Sequence, residues 1–305
     1  MSMRWQRCCR AELSCQRESA LSISLQETRI DIAIGPIAAL RGGQSGQPRV
    51  LALHGWLDNA ASFLPLAQHL HDIELVAIDL PGHGHSVHLP AGIPYTFELA
   101  VHHVLDVADA LGWERFGLLG HSMGAAIASL VAAAAPERVE KLACIEALGS
   151  LTHPAEEAGQ RMRESVTAAR ALRGKNKRVF SQIAPAISAR MAANQMSEPV
   201  ARLLVERGVQ QVPEGLVWSS DQRLMVPTFL RPVEAQIAAL LASIECPTQV
   251  VFATPAQPYL PDDQRRRLVA ALGNGQAHFL PGSHHLHMET PAEVAAVLTQ
   301  FLATP

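Results

Sequence analysis

Ser122 is the residue of this chain whose surroundings point most directly to chemistry. It lies in Gly120-His121-Ser122-Met123-Gly124, which matches G-x-S-x-G, between an apolar run at 116–119 and a helix of small residues at 125–135. A strand, a tight turn and a helix in this order are typical of a nucleophile elbow, which presents a serine hydroxyl at a strand end. The turn strains the backbone and brings chain segments close together, so both flanks require glycine. The pattern therefore predicts a nucleophilic serine.

Three other residues follow predicted buried strands as Ser122 does: Trp56, His83 and Glu146. The four strands are predicted at 50–53, 75–78, 116–119 and 139–145. Loops at the carboxyl ends of parallel strands converge on one site. We therefore expect these four residues to lie near one another, which supports the nucleophile independently.

The elements that must hold these residues alternate between strand and helix. Helices are predicted at 62–70, 96–111 and 125–135, and after residue 244 a strand at 248–253, a helix at 261–272, a strand at 277–280 and a helix at 291–302. This alternation indicates an α/β fold, a mostly parallel central sheet flanked by helices. Residues 21–25 and 30–34 alternate apolar with polar and predict antiparallel strands at a sheet edge, before a loop at 41–48.

The alternation stops between residues 150 and 243, where helices and no buried strand are predicted. The helices are predicted at 156–173, 179–194, 198–208 and 232–242. We interpret residues 20–149 and 244–305 as the α/β core and residues 150–243 as an inserted helical cap. Residues 1–19 are rich in Arg and Cys and lack the apolar segment of a secretory signal, so we interpret them as a flexible extension.

Composition excludes several classes of protein. With 305 residues, of which 48% are hydrophobic, the chain can bury a large core. A formal charge of −3 without a basic stripe argues against nucleic acid as a partner. No apolar run approaches the about 18 residues that span a bilayer. The five cysteines lack zinc-type spacing, and Cys144 and Cys246 lie in strand-like runs, which together predict a reducing cytoplasm.

Four motifs make residues 20–303 resemble the α/β-hydrolase fold superfamily. They are His54-Gly55-Trp56, the segment Asp79-Leu80-Pro81-Gly82-His83-Gly84-His85-Ser86, the elbow, and the segment from Pro281 to Pro291. Within the superfamily the chain is similar to the serine-hydrolase-like proteins, on residues 54–60, 203–208 and 220–224. The resemblance implies an α/β-hydrolase fold with a Ser, acid and His triad and no cofactor.

The base of such a triad must take the proton from the serine hydroxyl, which is otherwise a poor nucleophile. The resemblance implies a histidine after the last strand, and His284 lies there, in a Gly/Ser loop seven residues before Pro291. His285 and His287 are the alternatives in the same loop. We predict that His284 is the base.

The acid departs from the usual pattern. The superfamily commonly carries Asp in the loop after the strand at 248–253, and the matching position here is Gln257, whose amide cannot offset the imidazolium charge. Glu146 ends an apolar strand where burial without a partner is costly, and it keeps the order Ser, acid, His. We predict Glu146 as the acid. Asp262 and Asp263 are the alternatives, at a helix start where carboxylates often act as caps.

Backbone N–H groups of Trp56 and Met123 are predicted to form the oxyanion hole. The Trp56 ring belongs either to a pocket wall or to the core. His83-x-His85 and His285-x-His287 have metal-like spacing but no third ligand tied to them, so no metal is predicted. Asp221-Gln222-Arg223 is expected to fix the cap by hydrogen bonds, and Arg265-Arg266-Arg267 to form a solvated helix face.

These residues predict a serine hydrolase that cleaves a carboxylic ester or related acyl bond through Ser122, His284, Glu146 and an acyl-enzyme intermediate. Apolar residues of the cap favour a small hydrophobic acyl substrate. The alternatives are a weakly active or non-catalytic small-molecule binding protein, which Gln257 favours, and an acyltransferase, perhydrolase or C–C hydrolase with the same triad.

Overall fold

The structure, a computed structural model, describes residues 22–172 and 174–304. The predicted extension at 1–19 lies outside the described residues. Ten strands are described: β1 (Gln26–Ile32), β2 (Gly35–Gly43), β3 (Arg49–Leu53), β4 (Glu74–Ile78), β5 (Phe116–His121), β6 (Val139–Ile145), β7 (Val209–Val212), β8 (Gly215–Trp218), β9 (Thr248–Thr254) and β10 (Gly275–Pro281). Eight of them form the central sheet, in the order β1-β2-β4-β3-β5-β6-β9-β10.

The sheet is parallel from β4 to β10, and its antiparallel edge is the β1–β2 hairpin, with β2 also antiparallel to β4. The sequence prediction was wrong about the position of these edge strands, because residues 22–25 are not a strand and the hairpin turns at Ala33–Ile34. Gly35, at φ +124°, allows the chain to reverse there. β2 then continues to Gly43, into the region predicted as a loop.

Ten helices are described: α1 (Leu64–Ala67), α2 (Phe97–Ala110), α3 (Met123–Ala134), α4 (Ala158–Ala171), α5 (Ile183–Asn194), α6 (Glu198–Gly208), α7 (Glu234–Ala242), α8 (Asp262–Ala270), α9 (Leu286–Glu289) and α10 (Pro291–Ala303). The helix predicted at 62–70 is instead a 3₁₀ turn at Ala60–Phe63 followed by the single turn α1. No helix within the described residues is long and apolar enough to cross a membrane.

Helices cover both faces of the sheet, and each face has its own apolar core. On one face, α2, α3, α7 and α8 pack on the sheet through residues such as Val104, Ile127 and Leu268. On the other face, α1 and α10 pack through residues such as Leu66 and Leu298. A mostly parallel sheet with helices on both faces confirms the predicted α/β-hydrolase architecture.

The chain between β6 and β9 carries four helices, α4 to α7, and a small two-stranded sheet. The sheet pairs β7 with β8, although the sequence predicted no strand in this segment, because the two strands are only four residues each and mostly not buried. Phe180, Ile187 and Leu204 belong to an apolar cluster that lies mainly within the segment. The division of the chain into a core and a cap at 150–243 stays a prediction.

Candidate active site

Ser122 lies at the point where β5 turns into α3, with backbone angles of φ +50° and ψ −115°. A positive φ is rare for a residue with a side chain, so the turn is strained in the way that an elbow requires. The glycines on either side have no room for a Cβ atom. At Gly120 it would clash with the backbone of Ala125, and at Gly124 with the carbonyl oxygen of Leu53.

An open cavity of about 1140 Å³ lies at the carboxyl ends of the strands and contains Ser122 in its wall. Trp56, His83 and Glu146 line the same cavity, so together with Ser122 the four residues that follow predicted strands meet there. His284 lines the cavity as well. Much of the remaining wall is apolar, from the core and from the segment 150–243: Ile127, Leu130, Leu148, Leu224, Ile237 and Leu268. The cavity is large enough to hold a drug-sized organic molecule.

His284 faces Glu146 through its Nδ1 atom, which lies 3.2 Å from Oε2 of the carboxylate. Burial lowers the pKa of His284, and the hydrogen bond that its ring donates to Glu146 acts in the opposite direction. The ring is therefore favoured in its neutral form, with Nδ1–H toward Glu146 and Nε2 as the available base. The Ser122 hydroxyl and His284 share the cavity but do not form a direct hydrogen bond, and such contacts commonly tighten only when substrate binds.

Three contacts hold the backbone and the buried carboxylate of Glu146 in place. Its backbone has φ +61°, and its N–H donates to the carbonyl of Val251. Oε1 accepts a hydrogen bond of 2.5 Å from the N–H of Ala253 and lies 3.3 Å from Nη2 of Arg265. With Oε1 occupied in this way, Oε2 is left for His284, so the carboxylate has a fixed orientation.

Arg265 is completely buried, so the prediction of a solvated face for Arg265-Arg266-Arg267 was wrong at its first residue. Its guanidinium stacks on the ring of Phe252, with 4.8 Å to the centroid, and donates a 2.6 Å hydrogen bond to the carbonyl of Ala253. Three consecutive arginines look alike in a sequence. Only the position of Glu146 on the neighbouring strand distinguishes the one that turns inward.

The two alternative acids, Asp262 and Asp263, contact arginines of α8. Asp263 is exposed and pairs with Arg267 at 2.7 Å, while Asp262 is half exposed and lies 3.6 Å from Arg265. Neither one contacts His284 among the described contacts. Gln257 lines the cavity, and its neighbour Tyr259 places its hydroxyl 3.1 Å from Nδ1 of His284, a contact that the sequence did not indicate.

The other two histidines of the loop occupy different surroundings. His285 Nε2 lies 3.3 Å from Oδ2 of Asp58, which also receives an ion pair from Arg190. His287 is fully buried, and neither ring nitrogen has a hydrogen-bond partner among the described residues. Burial lowers the pKa of His287 well below its usual value, so its ring packs as a neutral group.

His121, the first variable residue of the elbow motif, contacts the loop that carries His284. Its Nε2 donates a 2.8 Å hydrogen bond to the carbonyl of His284, and its Nδ1 lies 3.5 Å from Asp58. Asp58, His121 and His285 bring three donor atoms within 4.8 Å, which is a possible cation site. However, the Arg190 guanidinium already neutralises Asp58 and disfavours a second positive charge there. The expectation of no metal stays a prediction.

Asp58 is ionised in this cluster. Burial alone would raise its pKa, yet the pKa lies well below the usual range because His285 and Arg190 stabilise the carboxylate. The sequence analysis missed this cluster, because its members come from four separate segments and share no local pattern: Asp58, His121, Arg190 and His285. The only positions that could have suggested the cluster are His121, at the variable position of the elbow, and Asp58, in the loop after the first core strand.

The residues predicted to form the oxyanion hole, Trp56 and Met123, line the same cavity as Ser122. Met123 is the first residue of α3, so its N–H has no intrahelical acceptor, and the N–H of Trp56 has no backbone acceptor among the described residues. The Trp56 ring is not in the core. It is 49% exposed, and its Nε1 donates a 2.9 Å hydrogen bond to the carbonyl of Leu224, so the ring forms a wall of the cavity.

A family model of the alpha/beta hydrolase fold matches residues 48–203, which is just over half of the chain. The chain belongs to the α/β-hydrolase fold family. The serine hydrolase-like protein of Danio rerio is 30% identical, over 90% of this chain and 88% of the relative. Serine hydrolase-like protein 2 of Homo sapiens is 30% identical, over 93% and 96%. These relatives confirm the resemblance inferred from the motifs.

A solved structure is also similar to this hydrolase. The crystal structure of a hypothetical protein from Pseudomonas aeruginosa PAO1 has 41% identity and a TM-score of 0.86, and it covers 92% of this chain and 100% of that chain.

In this α/β hydrolase, two of the three segments that carry the resemblance to serine-hydrolase-like proteins, 203–208 and 220–224, attach residues 150–243 to the sheet. Arg207 is buried and pairs with Asp79 at 3.0 Å. Asp221 accepts hydrogen bonds from Arg223 and from the hydroxyl of Tyr95, at 2.9 Å for the latter. Arg223 also donates to backbone carbonyls near Leu89, so Asp221 and Arg223 make the attaching hydrogen bonds that the sequence predicted, whereas the pair of Arg207 with Asp79 was not predicted.

Proposed function

We propose that the protein is a serine hydrolase that cleaves carboxylic esters or related acyl bonds with Ser122, His284 and Glu146 as its triad. The observation that carries the proposal is the 3.2 Å contact between His284 and the buried carboxylate of Glu146, beside the strained turn of Ser122. A serine, a base and an oriented acid in one cavity are what acyl transfer requires. The membership of the hydrolase family supports the same reaction class.

In the first half-reaction, Nε2 of His284 takes the proton from the Ser122 hydroxyl as the oxygen attacks the substrate carbonyl. The carbonyl oxygen becomes negative and accepts hydrogen bonds from the N–H groups of Met123 and Trp56. Glu146 offsets the positive charge that develops on the imidazole. The tetrahedral species then collapses to an acyl-serine, and His284 gives its proton to the leaving alcohol or thiol.

In the second half-reaction, His284 removes a proton from a water molecule, which attacks the acyl-serine. The carboxylic acid product leaves when the proton returns to the Ser122 oxygen. No cofactor takes part in either step. Residues 150–243, which we propose to be the cap, form part of the apolar wall, and this supports a hydrophobic acyl group in the substrate.

Two experiments on Ser122 test the proposal. A fluorophosphonate probe should label the wild-type protein and leave Ser122→Ala unlabelled, because only an activated serine reacts promptly. With a p-nitrophenyl ester, Ser122→Ala should lower kcat by roughly 10⁴–10⁶-fold. Ser150→Ala is the matched control, since Ser150 also lines the cavity but lies outside the triad.

The outcome separates the proposal from its alternatives. A folded wild-type protein that is neither labelled nor active would favour a binding protein, for which Gln257 remains the supporting residue. Labelling with little net hydrolysis, and rapid turnover once an alcohol or peroxide acceptor is added, would favour an acyltransferase or perhydrolase. Equal turnover by Ser122→Ala would overturn the role of this serine.

A further inference from the structure

Two arginines of the cavity wall have no partner among the residues that the structure describes. Arg161, on α4, and Arg231, in the loop before α7, both line the cavity that contains Ser122. Arg161 is only 8% exposed, and its Nε atom is buried without a hydrogen bond. Among the described residues, no carboxylate oxygen lies within 4.0 Å of either guanidinium, and neither one donates a hydrogen bond.

The third arginine of this cavity wall, by contrast, has partners. Arg223 also lines it and is saturated by Asp221 and by three backbone carbonyls. The carboxylate of Glu164, one turn after Arg161 on α4, is engaged by Gln160 at 2.8 Å. Buried arginines are normally paired, because a desolvated charge without a partner is unfavourable.

The two cations also act on each other. Burial lowers the pKa of Arg231, and the nearby positive charge of Arg161 lowers it further. Two like charges that share a partly desolvated wall repel each other until an anion lies between them. A guanidinium offers N–H donors in a fixed planar fork, which binds a carboxylate or phosphate through paired hydrogen bonds.

We propose that Arg161 and Arg231 form an anion subsite, so that the acyl substrate of this hydrolase carries a carboxylate or phosphate group remote from the scissile bond. This inference rests on the proposed function, because it assigns the substrate class of the same cavity. The apolar wall accommodates the chain between the two ends. The favoured substrates are then esters or thioesters whose acyl chain ends in an anion.

A matched pair of esters tests the subsite. The p-nitrophenyl monoester of hexanedioic acid and p-nitrophenyl hexanoate have the same chain length and differ in one terminal carboxylate. We expect wild-type kcat/KM to favour the anionic ester by at least about 10-fold. Arg161→Gln and Arg231→Gln should each lower that ratio by roughly 10-fold to 100-fold, since each removes a charged hydrogen-bond donor.

Arg163→Gln is the matched control. Arg163 lies on the same helix as Arg161 but is exposed, and the substitution removes the same charge. It should leave the ratio for the two esters unchanged. If Arg163→Gln lowers the ratio as much as Arg161→Gln does, the effect is a general loss of positive potential and the subsite is wrong.

A binding measurement separates this proposal from the proposed function. Ser122→Ala protein, which does not need to react, is titrated with hexanedioate, hexyl phosphate and hexanol by calorimetry. We expect at least one of the two anions to bind, and its affinity to fall at least about 10-fold when Arg161→Gln or Arg231→Gln is added. Which of the two binds more tightly identifies the anionic group.

Failure of the hydrolase proposal and failure of the subsite proposal give different experimental results. If the wild type hydrolyses no ester but the anions bind through Arg161 and Arg231, the subsite stands and the hydrolase proposal fails. If neutral esters are hydrolysed, the wild type does not prefer the anionic ester, and neither anion binds, the subsite is overturned while the hydrolase proposal stands.

Discussion

Arg265 and Glu146 form an ion pair with 3.3 Å between Nη2 and Oε1, and both side chains are completely buried. The pair joins the start of α8 to the end of β6 and leaves the second oxygen of Glu146 toward His284. Arg265 therefore acts through Glu146. It is a positioning residue for the acid that we propose for the triad.

Removal of Arg265 should destabilise the protein as well as the site. In Arg265→Gln the Glu146 carboxylate stays buried with fewer partners, and loss of one member of a buried pair typically costs about 3–5 kcal/mol. Urea denaturation at pH 7.5 measures the change. The control is Arg267→Gln, at a solvent-exposed ion pair with Glu234, where we expect a much smaller loss. Equal losses in the two variants would contradict the role of Arg265.

Glu146→Gln keeps the shape of the side chain and removes its charge. We expect kcat for a p-nitrophenyl ester to fall by roughly 10⁴-fold, as for loss of a triad acid. The matched controls are Asp262→Asn and Asp263→Asn, whose carboxylates contact arginines of α8 and not His284. If Glu146→Gln stays active and one of the two controls does not, the acid comes from the start of α8.

The features that could be predicted from the sequence depend on residues close together in the chain. The strained turn of Ser122 follows from two glycines that flank it, and the parallel sheet follows from strands and helices that alternate. Glu146 could be named because it follows a strand directly, and His284 because the family resemblance implies a histidine in the loop after the last strand. Loops that follow parallel strands meet at one edge, so their order in the chain suffices to bring them together.

The remainder depends on contacts between distant segments. Arg265 resembles its neighbours Arg266 and Arg267 until the position of Glu146 is known. The Asp58 cluster combines residues separated by as much as 227 positions, and its members carry no shared pattern. The role of Arg161 could not be predicted for the same reason. It lies on a helix with several other polar residues, and its burial depends on the segments that the helix packs against.

The elbow glycines should tolerate no side chain. In Gly124→Ala the added Cβ clashes with the carbonyl oxygen of Leu53, so β3 and α3 must move apart. We expect a loss of about 3 kcal/mol in the free energy of unfolding, and loss of fluorophosphonate labelling. Gly273→Ala is the control, because a Cβ there meets no atom within 4 Å and the change should stay within about 0.5 kcal/mol.

The pH dependence of kcat/KM should report His284. The base must be neutral to take the proton, and burial lowers its pKa below the usual 6.5. The rate should therefore rise with pH, reach half its maximum below pH 6.5 and stay high above it. In Glu146→Gln the midpoint should move to lower pH, because the charge that stabilises the imidazolium is gone. A midpoint above pH 7 in the wild type would contradict this assignment.

Acid should destabilise the fold through two histidines that are buried as neutral groups. Burial lowers the pKa of His54 to about 4 and that of His83 to about 3. His54 Nε2 accepts a 3.0 Å hydrogen bond from the N–H of Leu80, and a protonated ring cannot accept it. Between pH 6.5 and these two pKa values, the histidines are protonated in the unfolded chain but stay neutral in the folded chain. The free energy of unfolding therefore falls as the pH falls.

Below about pH 6 the expected slope is about 1.4 kcal/mol per pH unit for each of these two histidines, and near pH 7.5 it is close to zero. Urea denaturation from pH 7.5 to 4.5 measures it. His83→Phe removes one ionisable ring that makes an edge-to-face contact with His54, with 4.8 Å between centroids, and should lower the slope by the contribution of one histidine. His85→Phe, two residues on and exposed, is the control and should leave the slope unchanged. If His83→Phe and His85→Phe keep the same slope, the acid sensitivity arises elsewhere in the chain.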